Sequence, residues 1–150
     1  MTQQYTESRV LVADDDQAIR KLVCTLLRRE GLEVDAAADG QEAIERLQQR
    51  HYAVILLDLM MPRVDGFGVI DYLRNNPPAQ KPVILVVSAY ADQKFKLVDP
   101  NLVAGVLRKP FEVADLGGLV RLCVHGYDAA TRARLLRPEQ TISELAARSN

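Results

Sequence analysis

Three consecutive aspartates follow the first apolar segment of the chain. The stretch "VLVADDDQAI" covers residues 10–19 and places Asp14, Asp15 and Asp16 directly after an apolar run. Adjacent carboxylates repel one another and raise each other's pKa, at a cost that grows as water is excluded. The three acids therefore either point into solvent or surround a cation.

Three later apolar segments also end in residues that can do chemistry. Asp58 ends "AVILLD", Ser88 ends "VILVVS", and Lys109 follows "GVLR". If these residues meet Asp14 and Asp15, a Mg²⁺ ion and the lysine would balance the three negative charges, and carboxylates are ligands that Mg²⁺ prefers. One carboxylate could then attack a phosphoryl group and form an aspartyl phosphate, while metal and lysine neutralise the transferring oxygens.

The elements that must position these residues alternate along the chain. Five segments rich in β-branched residues predict strands: "RVLVAD", "LEVDAA", "AVILLD", "VILVVS" and "GVLRKP". Several lack polar alternation, which indicates strands covered on both faces. Segments with helical spacing lie between them, so the sequence predicts an α/β fold with a doubly wound, five-stranded parallel sheet.

The first predicted helix has the clearest boundaries. Asp16 stands where an N-cap belongs, and Gly31 stands where the helix should stop. Its predicted buried stripe comprises Ile19, Leu22, Val23, Leu26 and Leu27. Later helices are predicted to open at Asp39-Gly40, to span Phe67–Leu73, to run from Asp92 to Val98, and to include Leu116–Cys123.

Ligands of an open parallel sheet bind outside the carboxyl ends of its strands. The first, third, fourth and fifth predicted strands deliver Asp14–Asp16, Asp58, Ser88 and Lys109 to that edge. Taken singly, the aspartates could be a capped helix start, the serine a strand end, and the lysine a solvated turn residue. Their convergence favours the metal-dependent site.

Four motifs, in this order and spacing, resemble one protein family. They are "LVADDD", "LLDLMMPRVDG", "VVSAY" and "LRKPF". With them the chain resembles the receiver domain of bacterial two-component response regulators, over roughly residues 9–128. The resemblance implies a flavodoxin-like (βα)5 fold with strand order 2-1-3-4-5. We expect a receiver domain at 1–128 and a helical tail or linker at 129–150.

The resemblance also implies roles for the acids and for one backbone carbonyl. Asp58 would be the phosphoacceptor, and Asp15 would ligate Mg²⁺ directly. Asp14 would be a water-mediated ligand of the metal, and the Met60 carbonyl would be a further metal contact.

Two further residues complete the expected site, and a third departs from the family pattern. Ser88 and Lys109 would hold the phosphoryl oxygens, with a cis bond between Lys109 and Pro110. Receivers usually carry Tyr or Phe three residues before this lysine, where the chain has Val106. A valine has no ring to swing inward, so half of the usual switch is missing.

The expected function is that of a signalling switch that catalyses its own phosphorylation and dephosphorylation. A histidine kinase or histidine phosphotransfer protein would supply the phosphoryl group. One alternative is a receiver-like adaptor that works without phosphorylation, which Val106 leaves open. A Mg²⁺-dependent aspartyl-phosphate phosphatase is disfavoured, because Met60 stands where the second acid of a D-x-D motif would be.

Composition excludes other classes of function. The chain has 150 residues and a net charge of −1, so direct nucleic-acid binding is not predicted. No apolar run approaches the ~20 residues of a membrane span, and the polar start is not a signal peptide. Cys24 and Cys123 read as reduced thiols of a cytoplasmic protein. Whether an output domain follows Asn150 is left open.

Overall fold

The computed structural model describes residues 9–89, 98–110 and 112–124. Its five strands are β1 (Arg9–Ala13), β2 (Glu33–Ala37), β3 (Val54–Asp58), β4 (Val83–Ser88) and β5 (Val103–Arg108). They form one sheet in the order β2-β1-β3-β4-β5, and every neighbouring pair is parallel. The predicted sheet and its strand order are confirmed.

Four helices lie within the described residues. They are α1 (Gln17–Arg29), α2 (Gly40–Gln49), α3 (Gly66–Asn75) and α4 (Val113–Val124). The short helix predicted from Asp92 to Val98 lies outside the described residues except for Val98, and so does the predicted tail at 129–150. No helix of the described part is long and apolar enough to cross a membrane.

Side chains of each central strand feed two cores, because successive residues of a strand point to opposite faces. Val54 and Leu56 of β3 face the core that α1 and α4 cover, whereas Ile55 and Leu57 face the core under α2 and α3. Cys24 and Cys123 are not joined in a disulfide, and both are buried in the first core. The sheet is thus covered on both faces, as the apolar strand sequences predict.

Helix α1 is capped as predicted but buries a different stripe. The Asp16 carboxylate accepts hydrogen bonds from the backbone N–H groups of residues 18 and 19, and Gly31 has a φ of 86° beyond the helix end. The buried residues are Val23, Cys24 and Leu27. The prediction that Leu22 lies on the buried stripe is wrong, since its side chain is 54% exposed. Burial of Cys24 turns the inner face away from Leu22.

Strand β5 begins earlier than predicted, at Val103 instead of Gly105. The pairing with β4 shifts at this point, because Ile84 pairs with Val103 while Leu85 pairs with Gly105. Ala104 is therefore an extra residue in the ladder, and this irregularity hides the start of the strand in the sequence.

Candidate functional site

Strand register brings the predicted site residues to one edge of the sheet. Ala13 pairs with Leu57, Asp58 pairs with Val87, and Ser88 pairs with Arg108. Asp14, Asp58, Ser88 and Lys109 therefore end or directly follow four neighbouring strands. This is the carboxyl edge at which open parallel sheets bind ligands.

Three carboxylates meet at this edge. Asp14, Asp15 and Asp58 each offer an oxygen, and these oxygens lie within 4.8 Å of one another. Asp14 and Asp58 are each only 5% exposed, whereas Asp15 is open to solvent. Three oxygen donors with one open side fit a hard cation such as Mg²⁺, which keeps several waters and takes one or two carboxylates. We call Asp14, Asp15 and Asp58 the acidic cluster.

Lys109 is the cation that the fold itself supplies to the acidic cluster. Its Nζ lies 3.0 Å from Oδ2 of Asp14 and 3.1 Å from Oδ2 of Asp58. Burial alone would lower the pKa of Lys109, but hydrogen bonds and charge from the two aspartates outweigh it and raise that pKa. Lys109 is therefore an ammonium at neutral pH. Among the described residues, the single positive charge of Lys109 does not balance the three carboxylates of the acidic cluster.

Burial also acts on the expected phosphoacceptor. It raises the pKa of Asp58, and the Met60 N–H and the Lys109 ammonium oppose this shift without cancelling it. A carboxylate whose charge is poorly compensated in the fold favours a cation in its neighbourhood. The acidic cluster thus matches a divalent metal in charge as well as in donor type.

Backbone N–H groups fix the orientation of both buried carboxylates. Oδ1 of Asp14 accepts from the N–H of Asp16 at 2.9 Å, and Oδ1 of Asp58 accepts from the N–H of Met60 at 3.1 Å. In each case the donor stands two residues further along the chain. The Oδ2 atoms are then left to face Lys109, so both acids present a defined oxygen to the site.

Ser88 and the peptide bond after Lys109 lie at the same edge of the sheet as the acidic cluster. Ser88 is fully buried at the end of β4, and its carbonyl accepts from the Lys109 N–H at 3.1 Å. The bond between Lys109 and Pro110 is cis, which confirms that prediction. The Met60 side chain is 47% exposed beside the site. The roles of Ser88 and of the Met60 carbonyl stay predictions.

Two arginine contacts near the site have no signal in the sequence. A guanidinium nitrogen of Arg20 donates to the Asp14 carbonyl at 2.7 Å, which fixes the loop that carries the aspartates. The sequence predicts Asp39 as a helix start, and the structure adds its ion pair with Arg63. An arginine on an amphipathic helix or in a loop gives no sequence signal of the carbonyl or carboxylate that it will contact.

A family model for the response regulator receiver domain matches residues 10–121. The chain is 31% identical over 129 residues to Protein PilG of Pseudomonas aeruginosa, covering 85% of this chain and 95% of PilG. It is 33% identical over 126 residues to the probable transcriptional regulator ycf27 of Porphyridium aerugineum, covering 83% of this chain and 51% of that protein. The chain thus spans about half the length of the ycf27 relative.

Solved structures agree with the sequence relatives. The receiver domain of the Francisella response regulator 1452 superposes with a TM-score of 0.70 at 29% identity, covering 79% of this chain and 97% of that domain. The response regulator TrrA of Thermotoga maritima, solved in complex with Mg²⁺ and BeF, superposes with a TM-score of 0.66 at 28% identity. That match covers 76% of this chain and 96% of TrrA.

Proposed function

We propose, because the chain belongs to the response regulator receiver domain family of two-component systems, that it accepts a phosphoryl group on Asp58 and thereby switches its binding to a partner. One observation carries the proposal above the others. The buried Asp58 carboxylate lies in the acidic cluster, with the Lys109 ammonium 3.1 Å from its Oδ2. Asp58 can therefore act as the nucleophile at a site that also supplies a positive charge from Lys109 and oxygen ligands for a metal.

The residues of the site divide the work of phosphoryl transfer. An oxygen of Asp58 attacks the phosphorus of the donor, and the bond from phosphorus to the leaving group breaks with its electron pair on the leaving group. The Lys109 ammonium, which contacts Asp58, would hydrogen bond to the phosphoryl oxygens. Ser88 at the end of β4 would donate its hydroxyl to another of these oxygens. Positioning and charge stabilisation are the main contributions to such a transfer.

Mg²⁺ would be held by Asp14, Asp15, Asp58 and the Met60 carbonyl. When bound, the ion neutralises charge that develops on the transferring phosphoryl group. The three clustered carboxylates support this assignment, as does the Mg²⁺ and BeF complex of the TrrA relative. Asp15, the exposed member, is placed to exchange water for the ion.

The phosphodonor would be a histidine kinase or a histidine phosphotransfer protein, and we place the reaction in the cytoplasm. The phosphorylated aspartate adds charge and acceptor oxygens, which bias a neighbouring loop or helix that a partner protein reads. We propose no direct nucleic-acid contact by this domain and no association with a membrane. The ycf27 relative is named as a transcriptional regulator, but the chain spans about half of it.

A phosphorylation-independent adaptor is the second candidate, and Val106 favours it. Val106 is half-buried and packs against the core under α2 and α3, where it offers no ring to reorient. The intact acidic cluster favours phosphorylation instead. A phosphatase acting on an external substrate gains no support, because the position of a second catalytic acid is Met60.

Intact-mass spectrometry separates these functions. Incubation with Mg²⁺ and acetyl phosphate or phosphoramidate should add one phosphoryl group to the wild type and none to Asp58→Asn. Asp65→Asn, which changes an acid that caps α3, is the matched control and should be modified like the wild type. A modified Asp58→Asn protein would assign the phosphate to another carboxylate, and an unmodified wild type would favour the adaptor.

A further inference from the structure

Asp39 is the one buried acid of the described residues that lies outside the acidic cluster. Its exposure is 3%, comparable to that of Asp14 and Asp58. A buried carboxylate costs free energy unless it is paired and hydrogen-bonded. An N-cap alone does not require burial, since Asp16 and Asp65 cap their helices while exposed. The burial of Asp39 therefore calls for a second role.

The two oxygens of Asp39 serve two different elements. Oδ1 accepts from the N–H of Glu42 at 2.9 Å and so caps α2. Oδ2 accepts from Nε of Arg63 at 2.8 Å and also from a terminal nitrogen of the same guanidinium. These contacts lower the pKa of Asp39 although burial opposes them, so the carboxylate is charged. Asp39 thus joins α2 to the segment that carries Arg63.

That segment is the β3–α3 loop, residues 59–65, which begins directly after the phosphoacceptor. A second contact ties it to α2, since the Gly40 N–H donates to the Val64 carbonyl at 2.8 Å. A Cβ on Gly40 would lie 2.1 Å from that carbonyl oxygen, so the approach requires glycine. Arg63 itself has a φ of 66°, a region that non-glycine residues rarely adopt. The ion pair with Asp39 offsets the cost of this conformation.

The same loop also carries the group that orients Asp58. The Met60 N–H donates to Oδ1 of Asp58 at 3.1 Å. At the far end of the loop, the Gly66 N–H donates to the Leu59 carbonyl at 2.9 Å. This bond joins the two ends of the loop to each other, and the Arg63 contact holds its middle. If Arg63 lost this contact, movement of the loop at Arg63 would reach Met60, which is only three residues away.

We infer that Asp39 is a positioning residue for phosphoryl transfer. Through Arg63 it holds the β3–α3 loop in place, so that the Met60 N–H stays hydrogen-bonded to Oδ1 of Asp58. This inference rests on the proposed function and deepens it. It adds a residue that touches neither the phosphoryl group nor the metal. Oδ2 of Asp58 keeps its direction toward Lys109 because Oδ1 is held from the other side.

Two substitutions separate this role from helix capping. Asp39→Asn keeps a side-chain oxygen for the Glu42 N–H but removes the anion that Arg63 requires. Arg63→Met removes the guanidinium, leaves the cap intact, and changes a side chain that is 67% exposed. Asp65→Asn makes the same chemical change at the N-cap of α3, where the carboxylate accepts from the Gly68 N–H at 2.9 Å, and serves as the control.

The first measurement is amide hydrogen exchange at Met60, by NMR, in metal-free and unphosphorylated protein. Loss of a charge-assisted tether should accelerate exchange roughly tenfold in Asp39→Asn and in Arg63→Met. Asp65→Asn should exchange at the wild-type rate. Arg63→Lys, which keeps the charge and one donor, should restore part of the protection.

The second measurement is the rate at which Asp58 is phosphorylated by acetyl phosphate with Mg²⁺. We expect both tether variants to be slower than Asp65→Asn by a similar factor, roughly tenfold. Wild-type exchange at Met60 in Arg63→Met would overturn the inference, even if Asp58 is phosphorylated. If Asp39→Asn does not fold, Arg63→Met decides alone. An unphosphorylated wild type would refute the proposed function, while the exchange at Met60 would still test the tether.

Discussion

The Nζ of Lys109 lies 3.1 Å from Oδ2 of Asp58, although 51 positions separate the two residues in the chain. Both side chains are largely shielded from water. A buried ion pair gains little net stability, because its Coulomb energy is offset by the loss of hydration. Here the same ammonium also serves Asp14 at 3.0 Å. Burial raises the pKa of Asp58 despite this ammonium, so the ionised carboxylate costs the fold stability.

This cost predicts a pH-dependent effect of Asp58→Asn. The folded pKa of Asp58 is raised above its ordinary value of 3.8 by burial. Its stabilising contribution is thus complete below the unfolded pKa and is lost as pH rises through the folded pKa. Without metal at pH 7, Asp58→Asn should be more stable than the wild type, and the difference should shrink toward pH 3. Urea unfolding at several pH values measures it.

The control is Asp71→Asn, because Asp71 is an exposed acid of α3. It should show no gain in stability at pH 7. An advantage of Asp58→Asn that is the same at every pH would contradict a titration of Asp58 as its cause.

Mg²⁺ should stabilise the metal-free protein by relieving repulsion within the acidic cluster. Binding to the folded state raises stability by about 2.7 kcal/mol when Mg²⁺ is at 100 times its Kd. Asp15→Asn removes one charged ligand and should respond much less. Asp16→Asn keeps the cap of α1 and leaves the cluster intact, so it should respond like the wild type. Thermal unfolding across a Mg²⁺ titration measures these responses. Equal stabilisation of the wild type and of Asp15→Asn would refute a Mg²⁺ site that includes Asp15.

Val106 predicts an unusual distribution of change on activation. Its side chain has one stiff rotatable bond and should stay packed in both states. A ligand shifts an equilibrium only through a difference in its interaction with the two states, and the missing ring removes one such difference. With a beryllofluoride mimic of the phosphate, amide chemical shifts should change at Ser88 and Ala89 and little at residues 103–108. The expected movement includes Tyr90, which lies outside the described residues. The reverse distribution would refute this prediction.

The adjacent glycines of α4 predict opposite responses to alanine. A Cβ on Gly118 would meet no atom within 4 Å, so Gly118→Ala should stabilise the protein by about 0.5–1 kcal/mol. A Cβ on Gly117 would lie 3.2 Å from Cδ2 of Leu26, and Leu26 would have to shift. Gly117→Ala should therefore gain less or lose stability. Urea unfolding of both variants compares them, and equal gains would show that α1 and α4 do not pack closely at Gly117.

The backbone of the site could be predicted from the sequence because its determinants are local. Apolar runs give the strands, and the chemical residues directly follow those runs. The rule that parallel strands end at one edge then brings Asp14, Asp58 and Lys109 together. The same rule does not give distances, hydrogen-bond partners or burial, so the roles of the two Asp58 oxygens came only with the structure.

Side-chain pairings between distant segments could not be predicted. The Asp39–Arg63 pair joins residues 24 positions apart, and the bond from Arg20 to the Asp14 carbonyl depends on one rotamer of a long side chain. Leu22 was misplaced because an amphipathic pattern fixes the orientation of a helix only approximately, and Cys24 gave no strong apolar signal. These features depend on tertiary packing, which outweighs local pattern.

Asp14 and Lys109 meet across 95 positions of the chain. Since ribosomes make proteins from the amino terminus, Asp14 and Asp58 leave the exit tunnel before Lys109 does. A nascent chain that ends before β5 carries these two acids of the acidic cluster without the Lys109 ammonium that contacts them in the fold. Burying these acids without a counter-charge costs free energy, so the carboxyl ends of β1 and β3 should stay hydrated until β5 is made. The arrival of β5 therefore brings Lys109 to the acidic cluster, where it pairs with Asp14 and Asp58.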